Sequence, residues 1–354
     1  MFNLKKLLRE VFVPAQGEKV LIMVDLPHGD LNDDRDWRER RTMAEEWRDA
    51  FQTLGVDVYP LLIYFATGLN NADLPENGTM NGEQVFIADM LSTSHIAIAL
   101  TEFSATAPLS HYLKRVDHLR VASMPGVLKR MEQSALCVDV QEMAHKTHLL
   151  ADLLTKAVSA EVTFSTGHVM MFDLRYRRGF ADDGLCISDQ EFPLINLPSG
   201  EAFIVPYEGE KEGEPSLSRG IIPIQQKDER ILYHVEQNQI KAIEGEGTQA
   251  HVQRNYFDGD PARRNIAELG LGCNDKAIIT GNVLEDEKAG FHWAYGRSEH
   301  LGGTVGPEAF TRADLVVHQD IVYAPGSPIE ALKIILRFLD GGEKCIFWDG
   351  EYRI

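Results

Sequence analysis

The sequence lacks features that mark several classes of protein. Its four cysteines are scattered and form no Cys-x-x-Cys pair, which argues against a structural zinc site or a disulfide framework and fits a reducing compartment. No run approaches the roughly 20 apolar residues of a membrane-spanning helix. The first ten residues are too charged for a signal peptide. These absences predict a cytoplasmic protein.

Positive charge is also scarce. The chain has 35 lysines and arginines against 54 aspartates and glutamates, a formal net charge of −19 at pH 7. Nucleic acid and anionic membrane surfaces would be repelled by such a chain, so neither is expected as a partner. Part of the acidic excess is clustered at residues 208–214 and 244–246, which we interpret as solvated loops.

A glycine-rich phosphate-binding loop is missing as well. The apolar run at residues 19–25 is typical of a buried strand. The sequence that follows, at residues 25–30, has neither Gly-x-Gly-x-x-Gly spacing nor a Walker loop. No nucleotide cofactor is therefore expected, and the first part of the chain is interpreted as a scaffold or oligomerisation domain.

What is present fits a two-domain globular protein. A length of 354 residues exceeds the usual size of a single core, and a 44% hydrophobic composition is enough to bury one. Residues 1–157 alternate strand and helix patterns, including a helix at residues 38–54, which predicts an open α/β domain with a parallel sheet. A long helix predicted at residues 128–157 leads out of this domain.

Residues 158–354 follow a different pattern. Short alternating runs separated by turn residues predict a mostly β domain, with a late helix at residues 328–339, where apolar residues keep a helical spacing. The predicted fold class is thus an N-terminal open α/β domain followed by a β-rich domain. The second domain is expected to be catalytic and to bind metal.

The clearest pattern of reactive side chains is His318-Gln319-Asp320. Apolar, β-branched residues flank it and predict a strand, in which residues two apart point to the same face. An imidazole and a carboxylate then lie side by side, at the separation that two ligands of one ion need. An isolated pair of this kind is more often the polar face of a strand.

Three further places in the second domain carry acidic or imidazole groups beside glycine. They are Glu201 in Pro198-Ser199-Gly200-Glu201, Glu268 in the stretch from Asn265 to Gly272, and Glu287 with His292. The glycines predict turns at which side chains crowd around a ligand. With His318 and Asp320 the set offers four carboxylates and two imidazoles, which can hold two divalent ions with one bridging carboxylate, as in metal-dependent hydrolases.

These motifs resemble those of a known family. Pro-Ser-Gly-Glu, Asn-Ile-Ala-Glu-Leu-Gly-Leu-Gly, Leu-Glu-Asp-Glu-Lys-x3-His, Gly-Gly and His-x-Asp, in this order, are similar to the motifs of metallo-aminopeptidases of the aminopeptidase T and aminopeptidase S type. The resemblance covers the second domain best, and Ser123-Met124-Pro125-Gly126 in the first domain agrees with it.

The resemblance implies a dinuclear metal centre. Matched motif by motif, the ligands would be Glu201, Glu268, Glu287, His292, His318 and Asp320, with Glu268 as the bridge. The ions would be zinc, cobalt or manganese. The enzyme would be a dimer or larger homo-oligomer that removes N-terminal residues from short peptides.

One position departs from this family. Where the aminopeptidases carry a tyrosine seven residues after the metal-binding histidine, this chain has Glu299, a candidate general base or anchor for the substrate amine. Nearby, Arg297 could hold a substrate carboxylate or form a structural ion pair.

The departure leads toward a related family, the 2,5-dihydroxypyridine 5,6-dioxygenases, which share the His-x-Asp pair and use a single iron. Here His292, His318 and Asp320 would satisfy the two-histidine, one-carboxylate triad of an iron(II) enzyme. That family carries a histidine where this chain has Glu268, which favours hydrolysis. The hypothesis is therefore a metallo-aminopeptidase or related amide hydrolase. Ring-cleaving dioxygenation is the alternative, and a non-catalytic metal-binding protein is a third reading.

Overall fold

The computed structural model describes residues 2–188, 190 and 193–354. They form two compact units. The first comprises the described residues of Met1–Ala144, Asp182–Ser199 and Asp275–Ala277. The second comprises His145–Ala181, Gly200–Asn274 and Ile278–Ile354.

Helices and strands alternate in the first part of the chain, and strands dominate the second. Up to residue 156 the elements are α1 (Leu4–Phe12), β1 (Lys19–Leu26), α2 (Arg35–Gln52), β2 (Asp57–Val58), β3 (Leu62–Phe65), β4 (Asn77–Met80), β5 (Glu83–Phe86), α3 (Ile87–Thr93), β6 (Ile96–Leu100), α4 (Thr106–Leu113), β7 (Arg120–Ser123), 3-10 turns at Lys129–Gln133 and Ala135–Cys137, and α5 (Val140–Lys156). None of the described helices is long and apolar enough to cross a membrane.

From residue 157 onward the elements are mostly strands. They are β8 (Ala157–Phe164), β9 (Val169–Asp173), β10 (Phe180–Asp182), β11 (Leu194–Asn196), β12 (Glu201–Ile204), β13 (Arg219–Gln226), β14 (Glu229–Glu236), β15 (Gln239–Glu244), α6 (Thr248–Asp258), β16 (Ile266–Gly272), α7 (Val283–Asp286), β17 (Phe291–Gly296), β18 (His318–Val322), β19 (Ala331–Phe338), β20 (Glu343–Trp348) and β21 (Glu351–Tyr352). Short 3-10 turns lie at Pro261–Arg264, Glu287–Ala289, Glu299–Leu301, Pro307–Ala309 and Ala313–Leu315.

The first unit is built on a mainly parallel sheet with the strand order β11-β7-β6-β1-β3-β4-β5, and β2 also pairs with β1. The strands from β11 to β3 are parallel, and the hairpin of β4 and β5 closes one edge antiparallel. Leu21, Met23 and Leu62 belong to its buried core. The predicted open α/β architecture is confirmed, because continuous apolar runs such as β1 suit a sheet covered on both faces.

The second unit packs two antiparallel sheets around one apolar core. The larger sheet has the order β15-β14-β13-β9-β8-β19-β20-β21, and the smaller sheet has the order β10-β12-β16-β17-β18. Phe172 and Leu336 from the larger sheet and Leu269 and Trp293 from the smaller sheet all belong to this core. The predicted β-rich character of the second part of the chain is confirmed.

The chain passes from the first unit to the second inside α5, between Ala144 and His145. The sequence set the boundary of its two domains after residue 157. The predicted second domain included residues 182–199, whereas the described residues of this range belong to the first unit, in which β11 pairs in parallel with β7.

One helix prediction was wrong and another was too long. Residues 328–339 were expected to be helical, yet Ala331–Phe338 forms β19, hydrogen-bonded to β8 on one edge and β20 on the other. A short apolar run fits either period, and pairing on both edges decides for the strand. The helix predicted at 128–157 begins only at Val140, after two 3-10 turns.

Asp260 ties together two loops that flank the smaller sheet. Its carboxylate accepts hydrogen bonds from Ala262 N at 3.0 Å and from both Thr311 N and Thr311 Oγ1 at 2.8 Å. Burial would raise the pKa of Asp260, but the hydrogen bonds from Thr311 and Ala262 outweigh it and lower the pKa. The ionised side chain therefore stabilises the loop that precedes β18.

We expect Asp260→Ala to lower the free energy of unfolding by about 2 kcal/mol at pH 7, because a buried charged acceptor is removed from its donors. The folded-state pKa lies below the unfolded value of about 3.9, so this stabilisation is complete above the unfolded pKa and is lost as the pH falls through the folded pKa. Urea denaturation at pH 7 and pH 3 should show a smaller difference at pH 3. The control Asp152→Ala, at an exposed position of α5, should change stability by less than about 0.5 kcal/mol. Equal losses at both pH values would contradict this account.

Candidate metal centre

Neighbouring strands of the smaller sheet carry most of the predicted ligands on one face. In an antiparallel ladder, residues paired directly opposite each other share a face. The pairs in register are Glu201 with Gly272, Gly270 with His292, Ala294 with Asp320, and Gly296 with His318. Glu268 lies two residues from Gly270 and joins the same face, opposite Ala294. The structure thus brings Glu201, Glu268, His292, His318 and Asp320 together.

Small residues make room for these side chains. A Cβ atom at Gly270 would lie 1.9 Å from Nε2 of His292, and one at Gly272 would lie 2.1 Å from the carbonyl oxygen of Glu287. The prediction that these glycines form turns was wrong, since both lie inside β16. Their role is to let other groups cross the strand where a side chain would stand.

The candidate ligand atoms form two groups that share one carboxylate. Glu201, Glu268 and His292 offer atoms within 4.8 Å of one another, and so do Glu268, His318 and Asp320. His292 Nε2 lies 3.2 Å from Glu201 Oε2 and 3.7 Å from Glu268 Oε1. His318 Nε2 lies 3.0 Å from Glu268 Oε2 and 3.6 Å from Asp320 Oδ1. Each oxygen of Glu268 therefore faces a different imidazole.

Backbone carbonyls orient both imidazole rings. His318 Nδ1 donates to the Arg297 carbonyl at 2.7 Å, and His292 Nδ1 lies 3.3 Å from the Gly290 carbonyl. A carbonyl oxygen only accepts, so it fixes the proton on Nδ1 and leaves Nε2 to face the carboxylates. This is the arrangement that metal-binding histidines usually adopt.

The charged groups of the cluster shift one another's pKa values. Burial would lower the pKa of both imidazoles, yet Glu201 and Glu268 raise the pKa of His292, and Asp320 and Glu268 raise the pKa of His318, well above the usual value. Burial would raise the pKa of Glu268, but the two nearby imidazoles, of which His318 is hydrogen-bonded to it, lower the pKa to about 2. The buried carboxylates thus favour the protonated form of both imidazoles.

The residues present fit a divalent cation. Buried carboxylates need a compensating charge. Glu201 Oε2 is buried and has no hydrogen-bond partner among the described residues. Carboxylate oxygens and neutral imidazole nitrogens are the ligands that zinc, cobalt and manganese accept. An ion here would replace the protons, so its binding competes with protonation.

Glu287 lies at the edge of the cluster, outside both ligand groups. Its Oε1 is 2.9 Å from Nζ of Lys288, whose ammonium also lies 2.6 Å from Glu201 Oε1. Burial, with the charges of Glu201 and Asp320, raises the pKa of Glu287 to about 8 against the opposing effect of Lys288. Lys288 was not singled out from the sequence, although it belongs to the Leu-Glu-Asp-Glu-Lys-x3-His motif.

Glu208 holds the loop that orients His318. The sequence-based interpretation of residue 208 as part of a solvated loop was therefore wrong. Its side chain is 5% exposed. It accepts hydrogen bonds from Ser298 Oγ at 2.5 Å, Asn265 Nδ2 at 2.8 Å and Thr304 N at 2.6 Å. Ser298 follows Arg297, whose carbonyl accepts from His318, so Glu208 supports the imidazole indirectly.

Glu299 stands beside the cluster and is paired with Arg297. Arg297 Nε and Nη2 donate to its carboxylate at 2.6 Å and 2.8 Å, and this lowers the pKa of Glu299. The side chain remains 40% exposed. His300, which the sequence did not single out, places its ring 4.9 Å from the ring of His318.

Two aromatic residues, Phe203 of β12 and Phe180 of β10, form an aromatic wall beside the candidate ligands. Phe203 lies opposite Gly270 in the ladder, and its ring stacks on Phe180 at a centroid distance of 5.6 Å. Phe180 is partly exposed.

Similarity to known proteins is found at the level of structure. No protein-family model matches the sequence, and no curated protein matches it. The structure is similar to that of 2,5-dihydroxypyridine dioxygenase from Pseudomonas putida, with a TM-score of 0.64 and 16% identity over 99% of this chain and 96% of that one. It is also similar to wild-type AmpT from Thermus thermophilus, with a TM-score of 0.61 and 14% identity over 99% of both chains.

Both families that the motifs resemble are therefore represented among structures of this fold. At 14–16% identity the likeness establishes the fold, and its two members point to different chemistry.

We expect Gly270→Ala to weaken zinc binding by about tenfold or more, because the new methyl group would displace the His292 ring. Isothermal titration calorimetry on the full chain measures this. Gly259→Ala is the matched control, since Gly259 has a helical φ of −66° and its nearest neighbours lie 3.4 Å from an added Cβ. A folded Gly270→Ala variant with unchanged zinc affinity would exclude His292 from the ligands.

Proposed function

We propose that the protein is a metal-dependent hydrolase of the aminopeptidase kind, which removes N-terminal residues from short peptides or cleaves a related small amide. One observation carries the proposal: the two ligand groups share Glu268, with one oxygen toward each imidazole. Such a carboxylate is suited to bridge two ions. Glu201 and His292 would complete one ion's ligands, and His318 and Asp320 the other's.

The composition of the groups argues against the alternative. A mononuclear iron(II) oxygenase uses two imidazoles and one carboxylate on one ion. Each group found among the described residues instead has one imidazole and two carboxylates. His292 and His318 approach opposite oxygens of Glu268.

The ions would polarise the substrate carbonyl and lower the pKa of a bound water from about 16 toward about 7. The chain's own residues supply orientation. The carbonyls of Arg297 and Gly290 keep Nε2 of each imidazole directed at the ligand face. Gly270 and Gly272 keep that face open.

Glu299 suits the role of amine anchor better than that of general base. Its hydrogen bonds with Arg297 lower its pKa, so the carboxylate is ionised at neutral pH and is a weak proton acceptor. An ionised, partly exposed carboxylate can bind the ammonium group of a peptide N-terminus. The aromatic wall of Phe203 and Phe180 would then contact an apolar side chain of the substrate.

The setting of the enzyme forms part of the proposal. Cys137, Cys186, Cys273 and Cys345 are free thiols, which supports a reducing, cytoplasmic location. We also propose a homo-oligomer, a dimer or larger, with small substrates and no nucleic acid or membrane partner.

The decisive measurement is the metal content of anaerobically purified protein together with turnover of aminoacyl amides. We expect two zinc, cobalt or manganese ions per chain and turnover that a chelator abolishes. Glu268→Gln should lower the content from two ions toward none, because it removes the shared ligand, whereas Glu201→Gln and Asp320→Asn should each lower it toward one. Glu236→Gln, at an exposed position of β14, should leave it unchanged. One iron per chain with ring-opening activity would establish the dioxygenase instead.

The anchor role of Glu299 predicts a specific kinetic change. Glu299→Gln should raise KM for substrates with a free amine by about tenfold, since a charged contact worth about 1.4 kcal/mol or more is lost, with a smaller change in kcat. N-blocked substrates of the same sequence serve as the comparison, because they carry no ammonium group. A fall in kcat at constant KM would instead indicate a part in the chemical step.

A further inference from the structure

The lysine of the Leu-Glu-Asp-Glu-Lys-x3-His motif is buried inside the acidic cluster. The side chain of Lys288 is 0% exposed, and its Nζ lies 2.6 Å from Glu201 Oε1 and 2.9 Å from Glu287 Oε1. Neither the aminopeptidase nor the dioxygenase hypothesis gave this residue a role. A lysine is rarely buried so completely unless it is paired.

The backbone builds a dedicated place for this side chain. The 3-10 turn Glu287–Ala289 lies against Gly272, where an added Cβ would come within 2.6 Å of the Lys288 carbonyl carbon. The Lys288 carbonyl accepts a hydrogen bond from Asn274 N at 3.0 Å. Gly272 is the register partner of Glu201, so the turn holds Lys288 directly beside that carboxylate.

The lysine divides the two oxygens of Glu201 between two tasks. Oε1 accepts the ammonium hydrogen bond. Oε2 lies 3.2 Å from His292 Nε2 and has no hydrogen-bond partner among the described residues. Without the lysine, the carboxylate could rotate and present either oxygen.

We infer that Lys288 is a positioning residue for the metal centre: it binds Glu201 Oε1 and so directs Oε2 toward the ion. The inference rests on the proposed metal-dependent function. It concerns the orientation of one ligand and assigns Lys288 no contact with the substrate.

Removing the lysine has two opposite effects on metal affinity, so the direction of the measured change tests the inference. Loss of an ammonium group removes electrostatic repulsion of an incoming cation and would tighten metal binding. Loss of orientation would weaken it, typically about 10- to 100-fold for a residue that holds a metal ligand. The inference requires the second effect to dominate.

The experiment measures zinc affinity of the full chain by chelator competition, with no substrate present. Lys288→Met should weaken zinc binding by about 10- to 100-fold in the wild-type background. In a Glu201→Gln background the same change should have no further effect, because the lysine acts through Glu201. Lys241→Met, at an exposed position of β15, is the matched control and should bind zinc like the wild type.

Lys288→Gln keeps a hydrogen-bond donor for Glu201 without the charge, and it should lose less affinity than Lys288→Met. Circular dichroism checks that each variant is folded, and the same double-mutant cycle is run with Lys288→Gln if Lys288→Met does not fold. Unchanged or tighter zinc binding, or an equal loss in both backgrounds, would overturn the inference. A wild-type chain that binds none of zinc, cobalt and manganese would overturn the proposed function itself, and the cycle is run with cobalt or manganese if zinc alone does not bind. If the wild type binds zinc and turns over substrate, but Lys288→Met has the same effect in both backgrounds, only the role of Lys288 is excluded.

Discussion

The structure of the second unit depends on how it accommodates a carboxylate placed between two imidazoles. Glu268 is buried, and its oxygens face His292 and His318. A buried carboxylate needs a compensating charge, and the carboxylates correspondingly raise the pKa of both imidazoles. Because its carboxylates need this compensating positive charge, the cluster is a candidate cation-binding site. Lys288 pairs with Glu201 and Glu287 inside the cluster.

Close backbone approach is the second condition for this centre. The candidate ligands come from separate strands, β12, β16, β17 and β18, and the sheet must let a ring and a turn cross β16. Gly270 and Gly272 permit this, although glycine weakens the interior of a strand. The alternate residues Leu269 and Leu271 point the other way and are part of the apolar core. One strand thus serves the core and the centre with alternate residues.

The two structural neighbours illustrate that one fold can carry different chemistry. Likeness to a dioxygenase and to AmpT extends over nearly the whole chain in both cases, so the fold does not distinguish them. The distinguishing features are single residues of the centre. Glu268 contributes to both candidate ligand groups and Glu299 places a charge beside them, and these are the two positions at which the sequence departs from the motifs of the two families.

Local pattern determined much of this protein from sequence. The alternation of elements predicted the α/β and β-rich parts, and the His318 to Asp320 spacing predicted that these two side chains share one strand face, because both depend on periods of two to four residues. Features that depend on residues far apart in the sequence were decided by the tertiary structure alone. The pairing of β19 on both edges made a strand of an apparent helix. The register between β16 and β17 places the His292 ring over Gly270, a glycine that the sequence had assigned to a turn. Glu208 and Lys288 are buried by contacts with residues distant in sequence. Their neighbours in sequence do not specify those contacts.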